Sequence, residues 1–159
     1  DDQARQKRYR EVVPAIEQML ADEPDWTAAM ATVACELHHA FGYFDWTGFY
    51  RCVEPGMLVV GPYQGTHGCL RIPFERGICG SAARNRQTEW VDDVTERDDH
   101  IACSSTTRSE IVVPIEGGDG QLLAVLDLDS DRPAAFTGVD KRHLEKLCGW
   151  LGRYGSGEA

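Results

Sequence analysis

The sequence predicts an α+β layer domain, a mostly antiparallel sheet with helices packed on one or both of its faces. Three observations carry that expectation. Apolar residues recur at helical spacing in two N-terminal segments and one C-terminal segment. The middle of the chain is cut by Gly, Pro and Asp into short apolar or alternating runs. Two of those runs flank a glycine-rich turn, as the strands of a hairpin do. With 159 residues the chain has the size of one domain around one core, so residues 1–159 are taken as a single domain.

In chain order, residues 3–21 are predicted as the first helix, with Tyr9, Val12, Val13, Ile16, Met19 and Leu20 on one side. Pro14 predicts a kink within it. Asp25 is placed to cap a second helix that runs to Gly42, with Trp26, Ala29, Met30, Val33, Leu37 and Phe41 on its apolar side. Residues 46–52 and 58–63 are predicted strands around Glu54-Pro55-Gly56, and a short strand is expected at 69–72. Gly77-Ile78-Cys79-Gly80 opens a short helix to about Arg86, followed by a short strand at 88–91. Residues 92–109 are polar and charged and are expected to form a long loop. Residues 110–115 and 122–129 form the hairpin around Gly117-Gly118-Asp119-Gly120, and Thr137 caps a last helix from about 139 to 153.

Composition excludes some partners. Asp and Glu number 26 against 16 Lys and Arg, a formal net charge of −10. Nucleic-acid binding depends on neutralising phosphates, and anionic membrane surfaces attract basic segments, so neither partner is expected. No stretch approaches the roughly 18 to 20 apolar residues that cross a bilayer. The charged start DDQARQKRYRE is followed by no apolar region of signal-peptide type, so a cytoplasmic protein with reduced thiols is expected.

The six cysteines divide by context. Cys35, Cys52 and Cys148 lie in apolar or helical runs, where a thiol is usually inert core. Cys69, Cys79 and Cys103 lie in Gly-rich, polar or loop surroundings. Cys79 sits at a predicted helix N-terminus, where unpaired N–H groups favour a thiolate. Cys103 follows His100 by three residues, which offers a proton partner. Two such cysteines within reach of each other resolve an oxidised thiol as a disulfide. Three ordinary small residues is the plain alternative. His67, Cys69, Cys79, His100 and Cys103 could also supply zinc ligands, but the close C-x-x-C type pairs of structural zinc sites are missing, so no metal is expected.

Two strand faces carry further signals. In a strand, Trp46, Gly48 and Tyr50 share one face, and the glycine leaves a slot between the rings sized for a methyl or thioether. An aromatic core face is the alternative. Asp127 and Asp129 share a face opposite Leu126 and Leu128, and like charges so placed repel. A bound cation, a raised pKa on one acid, or full exposure would each relieve this. A carboxyl kept protonated near neutral pH can donate a proton. Glu110, at the head of the partner strand, adds a third acid.

Taken together, the run from Asp45-Trp46-Thr47-Gly48-Phe49-Tyr50 through Gly61-Pro62-Tyr63-Gln64-Gly65, Cys69-Leu70-Arg71-Ile72-Pro73 and Gly77-Ile78-Cys79-Gly80 resembles the free methionine-(R)-sulfoxide reductases. So do His100-Ile101-Ala102-Cys103, Ser109-Glu110-Ile111-Val112-Val113-Pro114 and Leu126-Asp127-Leu128-Asp129-Ser130, in that order and spacing. The likeness covers roughly residues 25 to 150 and includes a cysteine set that GAF domains in general lack. The resemblance implies a GAF-like fold with a sheet of about six strands, often paired into a homodimer through the terminal helices. It implies reduction of free methionine-R-sulfoxide, with no bound cofactor and with thioredoxin as external reductant. It implies Cys103 as nucleophile, Cys69 as main resolving thiol and Cys79 as a third cysteine. It also implies Trp46, Tyr50, Glu110, Asp127 and Asp129 as the substrate pocket. A GAF module that binds a small metabolite without chemistry, or a thiol redox sensor, are the competing functions.

Overall fold

The computed structural model describes residues 1–99 and 106–156, and these form an α+β layer fold around one six-stranded sheet. The elements are α1 (Asp2–Met19), α2 (Trp26–Ala40), β1 (Trp46–Glu54), β2 (Met57–Gln64), β3 (Arg71–Pro73), α3 (Gly77–Asn85), β4 (Glu89–Val91), β5 (Ser109–Glu116), β6 (Leu122–Ser130), α4 (Gly138–Leu151) and α5 (Arg153–Ser156). The strand order is β3-β2-β1-β6-β5-β4, and every neighbouring pair is antiparallel.

Local chemistry sets the helix ends. Asp25 accepts from the Ala28 N–H at 2.8 Å and so caps α2. Thr137 and Asp140 close α4 with a reciprocal capping box. Pro14 lies on the exposed side of α1, where the Arg10 carbonyl that loses its helical partner can reach water. The helix therefore continues through it.

Period-two alternation puts two different cores on the two faces of the sheet. On one face Phe49, Ile111, Val113, Ile115, Ala124, Leu126 and Leu128 pack against α1, α2 and α4. On the other, Trp46, Tyr50, Val112 and Val125 pack against Ile78, Cys79, Ala82 and Ala83 of α3. Burying one large apolar side chain contributes about 1.5–3 kcal/mol, so both helix layers are held mainly by this contact.

Two expectations change in the connections. Cys69 precedes the third strand rather than starting it, since β3 begins at Arg71. Residues 92–109 are not loop throughout: a 3-10 turn occupies Val94–Glu96, and Val94 is buried. The Val94 N–H donates to the Arg108 carbonyl and the Arg108 N–H to that of Ser130, each at 2.8 Å, which ties both ends of this segment to the end of β6. Polar composition hid that anchor, because one buried valine and two backbone bonds carry it.

Candidate active site

The candidate site lies between α3 and the sheet, where β1, β5 and β6 present their chemistry on one face. Register explains the grouping. Asp127 lies opposite Gly48 of β1 and Val112 of β5, and Asp129 lies opposite Trp46 of β1 and Glu110 of β5. Glu110, Asp127 and Asp129 are therefore cross-strand or same-strand neighbours. Glu110 is 6% exposed and Asp127 3%, which removes the fully solvated alternative for this pair of strands. Oδ1 of Asp127 and Oδ1 of Asp129 are buried with no hydrogen-bond partner among the described residues.

Such crowding has an electrostatic consequence. Burial pushes all three carboxyls well above their ordinary range. Mutual repulsion adds to it: Asp127 acts on Glu110, Asp129 on Asp127, and Glu110 on Asp129. The protons belong to the coupled trio rather than to one residue.

Cys79 faces the same trio. Its sulfur donates to Oε2 of Glu110 at 3.8 Å, and sulfur, Glu110 oxygen and Asp127 oxygen all lie within 4.8 Å of one another. The expectation of a thiolate favoured by the helix N-terminus does not hold here. Complete burial, then Asp127, Glu110 and Asp129, push the Cys79 thiol well up. Three acids close by outweigh a helix end, whose influence is of order 0.3–1 kcal/mol.

The aromatic wall differs from the expected slot. A Cβ on Gly48 would come within 2.6 Å of the Trp46 ring and 2.4 Å of the Tyr63 Cβ, so the space that glycine leaves is filled by the indole itself. The rings of Trp46 and Tyr50 stack at 5.7 Å, and those of Trp46 and Tyr63 at 5.1 Å. The indole N–H donates to the Thr66 carbonyl at 2.8 Å. A Cβ on Gly68 would meet both the Trp46 ring at 2.8 Å and the Tyr50 hydroxyl at 2.9 Å. Two glycines thus fix the wall. Burial and then Asp127, Cys79, Asp129 and Glu110 push the Tyr50 hydroxyl up, so it remains a neutral donor beside the acids.

Of the predicted site residues, the fold brings together Trp46, Tyr50, Cys79, Glu110, Asp127 and Asp129. Cys69 packs at the edge of the same apolar cluster and is disulfide-bonded, whereas Cys35, Cys52, Cys79 and Cys148 are free. Cys103 and His100 lie outside the described residues. Cys148 is buried core as expected, but Cys35 and Cys52 are only half-buried. The metal-capable group among the described residues is Cys79, Glu110 and Asp127.

Tyr63, Gly68 and Arg97 were not anticipated. Tyr63 had one available signal, since β1–β2 pairing sets it opposite Gly48. Arg97 grips Asp99 with two bonds of 2.8 Å and stands 3.8 Å from Glu89. No local pattern separates it from the other charges of its run.

The GAF domain family model matches residues 25–154, the span that holds every one of these side chains. A solved structure of free methionine-R-sulfoxide reductase from Neisseria meningitidis in complex with its substrate is 47% identical, with a TM-score of 0.88 over 94% of this chain and 89% of that one. The free methionine-R-sulfoxide reductase of Saccharomyces cerevisiae is 40% identical over 129 residues, 77% of this chain and 72% of the yeast protein. Protein YtsP of Bacillus subtilis is 40% identical over 144 residues, 90% of this chain and 88% of its own length. The chain belongs to the GAF domain family, among the free methionine-R-sulfoxide reductases.

Proposed function

We infer that this chain reduces free L-methionine (R)-S-oxide to L-methionine. The observation that carries the reading is the trio of buried Glu110, buried Asp127 and half-buried Asp129, with two buried carboxyl oxygens lacking a partner among the described residues, beside the stacked rings of Trp46, Tyr50 and Tyr63. A zwitterionic sulfoxide matches that chemistry. Its ammonium supplies donors to an ionised carboxylate, its oxygen needs a proton, and its S-methyl group suits an aromatic wall.

In the proposed reaction the Cys103 thiolate adds to the sulfoxide sulfur, and one carboxyl of the trio gives its proton to the oxygen. The hydroxyl passes to the Cys103 sulfur as methionine leaves with the electron pair, so Cys103 becomes a sulfenic acid. The Cys69 thiol then displaces water from it, forming a disulfide that thioredoxin reduces. Cys69 being disulfide-bonded supports a redox role for that thiol. Cys79, neutral against the acids, serves as a hydrogen-bond donor to the trio and as a reserve thiol. No bound cofactor enters the scheme. A homodimer through the terminal helices and a reducing, cytoplasmic setting complete the proposal. Among the described residues no helix is long and apolar enough to cross a membrane.

The test is NADPH oxidation coupled through thioredoxin reductase and thioredoxin. Free R-sulfoxide should turn over, and free S-sulfoxide and peptide-bound sulfoxide should not. Cys103→Ser should abolish turnover, and Cys69→Ser should leave one fast turnover without thioredoxin recycling. Equal rates on both epimers, or an active Cys103→Ser variant, would remove the mechanism.

A further inference from the structure

We propose that the chamber under α3 also binds a thiophilic divalent cation of the zinc class, through Cys79, Glu110 and Asp127. The proposal rests on the positions of these side chains and not on the reductase reading. Sulfur and two carboxylate oxygens lie within 4.8 Å of one another, all on buried residues, and the sulfur–Glu110 distance is 3.8 Å. Ligand atoms around one tetrahedral zinc sit roughly 3.5 Å apart, given bonds of about 2.0–2.3 Å. The ion therefore fits after side-chain shifts on the order of an ångström.

A second observation points the same way. Asp127 is 3% exposed, and its Oδ1 has no hydrogen-bond partner among the described residues; Oδ1 of the adjacent Asp129 is buried in the same condition. A buried carboxylate oxygen without a donor is costly, and a cation satisfies it fully. Asp129 or a water completes four-coordination.

The donor set selects the metal. Calcium and magnesium need shells of six or more oxygens, whereas a thiolate with two carboxylates suits zinc or cadmium. On binding, the Cys79 proton and any carboxyl proton leave to solvent as the metal–ligand bonds form.

Zinc chloride titrated calorimetrically into the reduced 159-residue chain, without substrate, tests this. One ion per chain is expected. Cys79→Ser and Asp127→Asn should each weaken binding at least tenfold, and Cys52→Ser and Cys35→Ser should change it less than twofold. Equal affinity in the unmodified chain and Cys79→Ser, or loss of binding in Cys52→Ser, would overturn the site. If Cys79→Ser does not fold, cadmium added to the Cys35→Ser/Cys103→Ser double variant decides. A thiolate-to-cadmium ultraviolet band that appears with one equivalent supports the site, and its absence overturns it. Sulfoxide turnover is not the readout. A chain that binds zinc through Cys79 but reduces nothing would fail the reductase reading alone, and a reductase that binds no zinc would fail this proposal alone.

Discussion

Asp140 and Asp127 are both buried carboxyls, set on opposite sides of one sheet, and their surroundings differ completely. Asp140 accepts from the hydroxyls of Tyr9 and Tyr43 at 2.7 Å each, from the Thr137 N–H at 2.8 Å, and from the Arg5 guanidinium. Asp127 has one oxygen with no partner among the described residues and two further acids as neighbours. The first arrangement satisfies a charge internally and ties α1 to α4. The second leaves a buried acid unsatisfied, which the fold tolerates only because a proton or a ligand completes it. A carboxyl's burial alone therefore says little; the donors around it separate an acid satisfied within the fold from one that is not.

Asp127→Asn should break the functional side of that contrast most strongly. Turnover should fall about 10²- to 10⁴-fold, the usual worth of a general acid, while the unfolding free energy holds or rises because repulsion is relieved. Steady-state kinetics with urea unfolding measures both. Asp140→Ala should do the opposite. It strands two tyrosine hydroxyls and one guanidinium, costing roughly 3 kcal/mol of stability, with kcat of the folded fraction unchanged. Gly48→Ala sharpens the aromatic side: the added Cβ forces Trp46 or Tyr63 aside, at about 1–3 kcal/mol and a raised KM.

The smallest effect is a pH slope. The trio binds protons in the folded state that unfolded carboxyls, titrating near about 4, have already lost. The native state thus holds more protons across that window, and stability should fall as pH rises through it. Its contribution is fully present below the unfolded values and lost above the raised ones. Urea midpoints between mildly acidic and neutral pH should show this slope in the unmodified chain and less of it in Asp129→Asn.

The local parts of this architecture were legible in the sequence. Alternation of Leu126, Asp127, Leu128 and Asp129 assigned the two faces of β6, and Asp25 and Thr137 marked their helix starts. The trio was legible because three acids at strand positions have few innocent explanations. What escaped depended on distant partners. Asp140 looks like an ordinary first-turn acid, and the hydroxyls that hold it come from 131 and 97 residues away. The Trp46 indole lies over Gly48 because Gly68 leaves room and Thr66 accepts its N–H, and both belong to a later loop. Cys79 misled for the same reason: its helix start is local, whereas the acids that keep it protonated arrive from β5 and β6.

Carbon-13 NMR titration of labelled Asp and Glu side chains tests the central claim most directly, that this chamber stores a proton at neutral pH. At least one carboxyl carbon of Glu110, Asp127 or Asp129 should keep the protonated chemical shift at pH 7 and titrate above the ordinary carboxylate range. Three carboxyls fully ionised at pH 7, with ordinary midpoints, would contradict it.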